Sequence, residues 1–379
     1  MRHPRLRLWL WACAATVLLA AGGSAGAESP VIRPDTGEAV PFARMIDDLA
    51  AADVVLVGER HDDHAQHWVQ GQVISGLLGR GPVALGLEAF ASGKDEQLDR
   101  WRQGRFDSWL RFLEAVDWFR HWGVAPGLYR PLLQTARRHR LPLAGMNVPR
   151  AWISRIARQG LGALSQAQRR RIGPVAQAPE AYAEALRESL AEHDGGGSAS
   201  GFIAAQTAWD AAMAGALLDL RADHPRAVTV GLAGTGHIRG GHGIPHQLKQ
   251  RRADLTVRTV MPYDPENGAP DPGDADYAWA VAPERAPEPV RIGAELGQAG
   301  EAEGIPVAGV RGGHPGPEAG LREGDRILAV DGEAVGSATA LIYRIRRHRW
   351  GGCLRLRIQR GDAEKALTVP LNRPPKAGR

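Results

Sequence analysis

Four short runs in the first two-thirds of the chain are apolar at almost every position: Asp53 to Gly58, Val83 to Glu88, Pro142 to Asn147 and Ala227 to Leu232. Continuous rather than alternating apolar character is what strands covered on both faces require. Between these runs the spacing becomes helical. Asp63 is placed to cap a helix reaching Leu78, with Ala65, Trp68, Val69, Val73 and Leu77 on its inward side. Ala205 to Leu220 reads as a second helix, apolar on most faces and therefore buried. Short strands alternating with longer helices predict an α/β domain over residues 30–283, built on a largely parallel sheet flanked by helices.

The pattern changes from Asp264 to Pro289, where Pro, Gly, Asp and Glu are dense. Tyr277 to Val281 is the one apolar run there, read as a last strand or packing arm, and residues 284–289 as a linker. Residues 290–372 carry short strand patterns separated by Gly and Asp-Gly turns, which predicts a small, mainly β domain before a polar tail at 373–379. Ala340 to Arg347 reads as its helix, with Leu341, Ile342 and Ile345 as the apolar side. Cys353 to Ile358 alternates as a strand does, and Cys353 is expected to be a buried, inert thiol.

Composition sets the compartment and narrows the function. Arg2, Arg5 and Arg7 precede an apolar stretch from Leu8 to Ala21, and Ala25-Gly26-Ala27 offers small residues for signal peptidase, so residues 1–27 are expected to be removed on export to the periplasm. Leu10-Trp11-Ala12-Cys13 is a weaker lipobox-like alternative that would lipidate Cys13, and a retained N-terminal membrane anchor is another. Without the leader, 44 basic residues face 42 acidic ones, so charge gives nucleic-acid binding no support. Cys353 is then the single cysteine, which leaves no intramolecular disulfide and no cysteine-based metal site.

The polar residues that stand out lie at strand ends, where open parallel sheets collect ligands. The first run leads into Gly58-Glu59-Arg60-His61, the second ends at Glu88, the third at Asn147, and the fourth leads into Gly234-Thr235-Gly236-His237. Glu59, His61, Glu88 and His237 are the residue types a divalent metal takes, with about three protein ligands and one position left for water. The bland alternative is that these groups satisfy backbone atoms and pair with Arg60, Arg150 and Arg239. Residue types alone leave both open. His64 and His67 sit three apart on one helix, as an extension of such a site, a haem-edge contact or a solvated helix end. His242 and His246 lie in a glycine-rich loop that reads as a mobile cover or an ordinary loop, and Arg169-Arg170-Arg171 as a solvated helix face.

Taken in order, Val54 to Asp62, Leu87-Glu88-Ala89-Phe90, Met146 to Arg150, Phe202 to Met213 with Trp209-Asp210, and Gly231 to Ile238 resemble the ChaN-like haem-binding uptake family over about residues 40–283. That family belongs to a wider group with the Tiki metallopeptidases and the erythromycin esterases. The resemblance implies an exported protein of haem or iron acquisition, with haem held at a homodimer interface by a tyrosine. Here Tyr129 is the candidate ligand, after the tryptophans Trp109, Trp118 and Trp122 that would wall a porphyrin and before Arg130 for a propionate. The Tiki branch implies instead a metal-dependent peptidase: His61, Glu88 and His237 holding Mn, Co or Zn, and Glu59 as general base toward the bound water.

Ile305 to Val310 and Gly313 to Gly332 are similar to a PDZ domain of the bacterial periplasmic type. This implies a peptide groove bordered by the Ala340 to Arg347 helix, with a carboxylate-binding loop at Ile292, Gly293, Ala294, Glu295, Leu296 and Gly297. Glu295 departs from the usual apolar loop, which argues against tight capture of a free C-terminal carboxylate and for an internal strand or the partner subunit in the groove. The resulting expectation is an exported haem-binding protein of the iron-uptake type, docked through its PDZ groove to an envelope protein. The alternatives are a metal-dependent hydrolase and a scaffold with a vestigial site.

Overall fold

A computed structural model describes residues 30–192, 198–298, 300 and 302–374. The expected leader with Cys13 and Ala27, and most of the tail, lie outside these residues. Seven strands form the first sheet: β1 (Val31–Ile32), β2 (Val54–Glu59), β3 (Val83–Ala91), β4 (Leu143–Asn147), β5 (Val228–Gly234), β6 (Val257–Tyr263) and β7 (Tyr277–Ala280). Their order is β1-β7-β6-β2-β5-β3-β4, and every neighbouring pair is parallel except β1 with β7. Every residue of β2 and β3 is buried, as the continuous apolar runs require. The apolar run at Tyr277 is β7.

After β2 the chain moves toward β3 and β4, and after β5 it moves the other way, to β6. The adjacent strands β2 and β5 therefore form the switch point of the sheet, and their carboxyl ends open a crevice. In register, Glu59 stands beside Gly234. The two loops that follow are Arg60-His61 and Thr235-Gly236-His237, which brings together residues 176 positions apart.

Helices cover both faces. Asp63 caps the helix His64–Leu78, its carboxylate accepting from the N–H groups of Ala65 (3.0 Å) and Gln66 (3.3 Å). Val69, Val73 and Leu77 of that helix join the core, but Trp68, expected inward, is 54% exposed. The long helix Ala199–Asp223 lies across the opposite face and buries Ala208, Ala211, Met213 and Leu217. Small residues let it approach closely: a Cβ at Gly201 would lie 2.0 Å from the Ala157 carbonyl oxygen.

The C-terminal domain has an antiparallel sheet ordered β13-β12-β10-β9-β8, comprising β8 (Ala294–Leu296), β9 (Ile305–Val310), β10 (Arg326–Val330), β12 (Cys353–Arg360) and β13 (Ala363–Pro370), with β11 (Glu333–Ala334) paired to β10. Ile305, Val307, Ile327, Leu341, Leu354 and Leu356 fill its core. The strand predicted at Cys353 forms, with the opposite phase for its thiol. Leu354, Leu356 and Ile358 face in, whereas Cys353 shares the outer face with Arg355 and Arg357 and is exposed. Among the described residues no helix is long and apolar enough to cross a membrane.

The stretch expected as a free linker is tied down. His64 N–H donates to the Glu284 carbonyl (2.8 Å), Ala286 N–H to the Asp62 carbonyl (2.7 Å) and Glu284 N–H to the Asp63 carboxylate (3.1 Å). The helix Ala338–Ile345 also packs against the first domain: Ser337 Oγ donates to Glu114 (2.6 Å), and the Arg346 guanidinium lies over the Phe119 ring (4.8 Å to the centroid).

Candidate functional site

The two Gly-x-x-His segments interlock at the switch point, and their glycines show why. A Cβ at Gly58 would lie 2.9 Å from Thr235 Oγ1, and a Cβ at Gly234 would lie 3.0 Å from His61 Cε1. Each motif occupies the space that the other's missing side chain leaves.

Both imidazoles are held from behind by buried carboxylates. His61 Nδ1 lies 2.7 Å from Glu59 Oε1, and His237 Nδ1 lies 2.6 Å from Asp210 Oδ1. Their Nε2 atoms turn toward the same oxygen, Glu88 Oε1, at 4.0 Å and 3.8 Å. The other Glu88 oxygen accepts from Gly234 N–H at 2.7 Å, which fixes the carboxylate to β5. Fixing Nδ1 by a carboxylate sets the ring's tautomer and orientation and leaves Nε2 as the donor, the usual support of a histidine ligand. Compared with the edge of about 3.4 Å in a tetrahedron of 2.1 Å bonds, the donors are open by about half an ångström. Among the described residues no group of three or more His, Cys, Asp or Glu is already closed to metal-holding geometry.

Glu59 anchors a second layer behind His61. Its carboxylate is buried and accepts from Tyr129 OH (2.5 Å) and Gln70 Nε2 (2.8 Å), with His67 Nδ1 at 3.5 Å. Burial alone would raise its pKa, but the imidazoles of His67 and His61 and the Tyr129 hydroxyl outweigh it and hold the carboxyl down to about 2. Besides any role toward a bound water, Glu59 therefore orients His61 from behind. His237 is pushed up to about 9. Burial opposes that rise, and the Asp210 carboxylate, with Glu88 beyond it, overcomes it. For His61 the hydrogen bond to Glu59 and the charge of Glu88 likewise outweigh burial and raise its pKa.

The structure moves Tyr129 away from the haem-ligand role. It is 2% exposed, its hydroxyl is engaged by Glu59, and its pKa rises well above the ordinary value through burial and the neighbouring carboxylate. Trp109, Trp118 and Trp122 are core residues rather than a porphyrin wall, and Arg130 stacks over Trp109 (5.6 Å). Trp122 does reach the site, edge-on to His61 at 4.6 Å. Asn147 is structural, donating to the Glu88 carbonyl (3.0 Å) and accepting from Trp209 Nε1 (2.9 Å), whose ring packs on His237.

Only His64 of its pair is solvated, since His67 is buried between Gln70 and the His61 carbonyl. Of the two loop histidines, His246 lies in the helix Ile244–Arg251 and contacts the Gln177 carbonyl, and His242 stacks on Tyr182.

Sequence reasoning assigned no role to Asp210, which is fully buried and also accepts from Tyr182 OH (2.8 Å). The signal was there: an acid inside an apolar helix must have a partner. Tyr263 and Arg285 were also missed. They line, with Glu59, Arg60, His61, Thr235 and Arg239, a cleft of about 710 Å³ that opens beside His61. Of the four tyrosines in this domain, Tyr129, Tyr182 and Tyr277 are buried with their hydroxyls on carboxylates, and Tyr263 faces the cleft.

The family model for haem-binding uptake proteins of the Tiki superfamily, ChaN, matches residues 45–248. The chain belongs to the ChaN family. A PDZ model matches residues 288–371. Among solved structures, one of cofacial haem binding to ChaN of Campylobacter jejuni aligns at 20% identity and a TM-score of 0.53, covering 65% of this chain and 94% of that one. The HtrA-type protease AlgW with a decapeptide aligns at 28% identity and a TM-score of 0.21, over 23% of this chain and 30% of that one. The serine endoprotease from Yersinia pestis aligns at 24% identity and a TM-score of 0.20, over 22% and 29%. No curated protein matches. The ChaN match spans the whole His61–Glu88–His237 cluster, whereas the PDZ match begins at residue 288, past Pro283 and Arg285, which line the cleft.

Proposed function

We propose that this ChaN-family chain is an exported periplasmic protein that takes ferric haem into the cleft over His61 and His237 and docks to an envelope protein through its PDZ groove. The supporting observation is a cleft lined by His61, held by the buried Glu59, by the half-buried Tyr263, and by Arg60, Arg239 and Arg285, with the Asp210-held His237 beside it across Glu88. These residues fit the group. A phenol or imidazole is a donor for haem iron, an anionic oxygen favours the ferric state, and guanidiniums pair with propionates. A cleft of about 710 Å³ falls within the range of small-molecule sites, roughly 300–1,000 Å³. In this reading Tyr263 replaces Tyr129 as the candidate ligand, and bound haem supplies the redox-active iron. The chain's own part is to present fixed donors, with Glu59 and Asp210 holding Nδ1 of each imidazole so that Nε2 is the atom left for a ligand. The family resemblance adds a second copy covering the open side.

A ferric-haem titration followed at the Soret band tests this. Saturable binding that weakens in Tyr263→Phe and in His61→Ala, and is indifferent to Tyr129→Phe, is expected.

The convergence of both Nε2 atoms on Glu88 favours a second reading, a metal-dependent hydrolase with His61, Glu88 and His237 around Zn, Mn or Co. Glu59, which also lines the cleft, is the candidate base in that reading. Stoichiometric metal lost in His61→Ala, together with peptide cleavage, would establish it instead.

A further inference from the structure

Trp122, edge-on to His61 at 4.6 Å, sits in a short segment that turns sharply at both ends, with φ of 56° at Asp117 and 88° at Gly123. The left-handed conformation of Gly123 lets the chain reverse directly after the indole. From the inside the turn is held by Trp118, whose Nε1 donates to the Val124 carbonyl (2.8 Å). Trp122 has no such tether. Its indole N–H is buried without a hydrogen-bond partner, so the ring is placed by its packing and by the backbone it leaves.

That backbone is held from the outside by the C-terminal domain. The two ends of the helix Ala338–Ile345 grip the first domain on either side of the segment. Ser337 Oγ donates to Glu114, and Arg346 donates to the Gly123 carbonyl (2.6 Å) with its guanidinium over the Phe119 ring. Between them Tyr343 packs against the core of the first domain. Among the described residues Arg346 forms no ion pair, and the like charge of Arg291 is near it, so replacing it strands no partner charge. Arg346 also lines the C-terminal cavity, of about 330 Å³, together with Ile292 to Leu296 of the expected loop. Two contacts then separate it from His61: Arg346 with Gly123, and Trp122 with the imidazole.

We propose that the C-terminal domain sets ligand affinity in the cleft of the first domain, with Arg346 as a positioning residue for His61 that acts through Gly123 and Trp122. The proposal rests on the reading of that cleft as the ligand site. With the Gly123 carbonyl held, the indole closes one side of the His61 ring, which keeps the orientation that Glu59 gives it at Nδ1. Without the donor the turn relaxes, the indole shifts, and His61 loses a wall that preorganises it for a ligand.

The test uses the intact chain labelled with fluorotryptophan, the Trp122 resonance being assigned by Trp122→Phe, and a ferric-haem titration of the same samples. Arg346→Met keeps an unbranched side chain and removes its donors, and Arg346→Lys restores one. In Arg346→Met the Trp122 resonance is expected to move while those of Trp101 and Trp279 stay in place, and haem binding is expected to weaken about tenfold. Arg346→Lys is expected to return both toward their original values. A Trp122 resonance unmoved in Arg346→Met overturns the positioning role, and a moved resonance with unchanged haem affinity overturns the hold of the C-terminal domain on the cleft. If the unaltered chain binds no haem, the haem reading fails, and the same comparison is made with the cobalt ion alone, where equal affinities overturn the proposal.

Discussion

Tyr129 shows what a residue's surroundings do to its chemistry. On the sequence it is a phenol in a tryptophan-rich stretch, which suits a haem ligand; in the fold its hydroxyl is a buried donor to Glu59. Tyr129→Phe is therefore expected to cost about 1–3 kcal/mol in denaturant unfolding, because a buried carboxylate loses a donor, and to leave the Soret band of a haem titration unchanged. Asp210 is the converse case, a residue whose importance appears only with its partner. It raises His237 to about 9, so at neutral pH the metal-free imidazole carries a proton that an incoming metal must displace. Affinity for a divalent ion should therefore rise as pH increases toward 9 and fall on the acid side. Asp210→Asn removes the raising charge, so isothermal titration should show the pH dependence moved to lower pH and metal affinity reduced by about 10–100-fold.

At the scale of elements, the parallel strands were legible because central strands buried on both faces leave continuous apolar runs, and β2, β3, β4 and β5 all follow them. Phase was harder to read. Cys353 alternates with Leu354 as any strand does, and its outward face was marked by Arg355 and Arg357 sharing its parity. Trp68 was assigned inward by helical spacing, yet it lies on the surface edge-on to Trp279 at 5.9 Å. The glycines of the paired motifs were visible in the sequence, but their reason was not, since the atoms they avoid belong to the other motif. Gly234→Ala places a methyl group against His61, and overpacking of this kind costs about 1–3 kcal/mol. The expected outcome is lowered thermal stability together with weakened ligand binding, whereas Gly71→Ala, with nothing within 4 Å of the added Cβ, should leave binding unchanged.

The whole molecule joins what composition had divided. The Pro-rich stretch reads as a spacer, but Pro283 and Arg285 wall the cleft, and Arg285 stands 3.4 Å from Asp62 and 3.7 Å from Asp63. Pairings more than 200 residues apart leave no local trace in a single sequence. The same holds for the helix Ala338–Ile345, which borders the peptide groove on one side and contacts the first domain on the other. The central claim is that iron, carried as haem, is engaged in the cleft over His61 and His237. Its most direct test is a ferric-haem titration of the chain from Glu28, purified without chelator, with bound metal measured on the same sample. The account predicts a saturable Soret change at stoichiometric haem, weakened by His61→Ala and Tyr263→Phe but preserved in Tyr129→Phe. A sample that binds no haem and holds one divalent metal per chain, lost in His61→Ala, would contradict it.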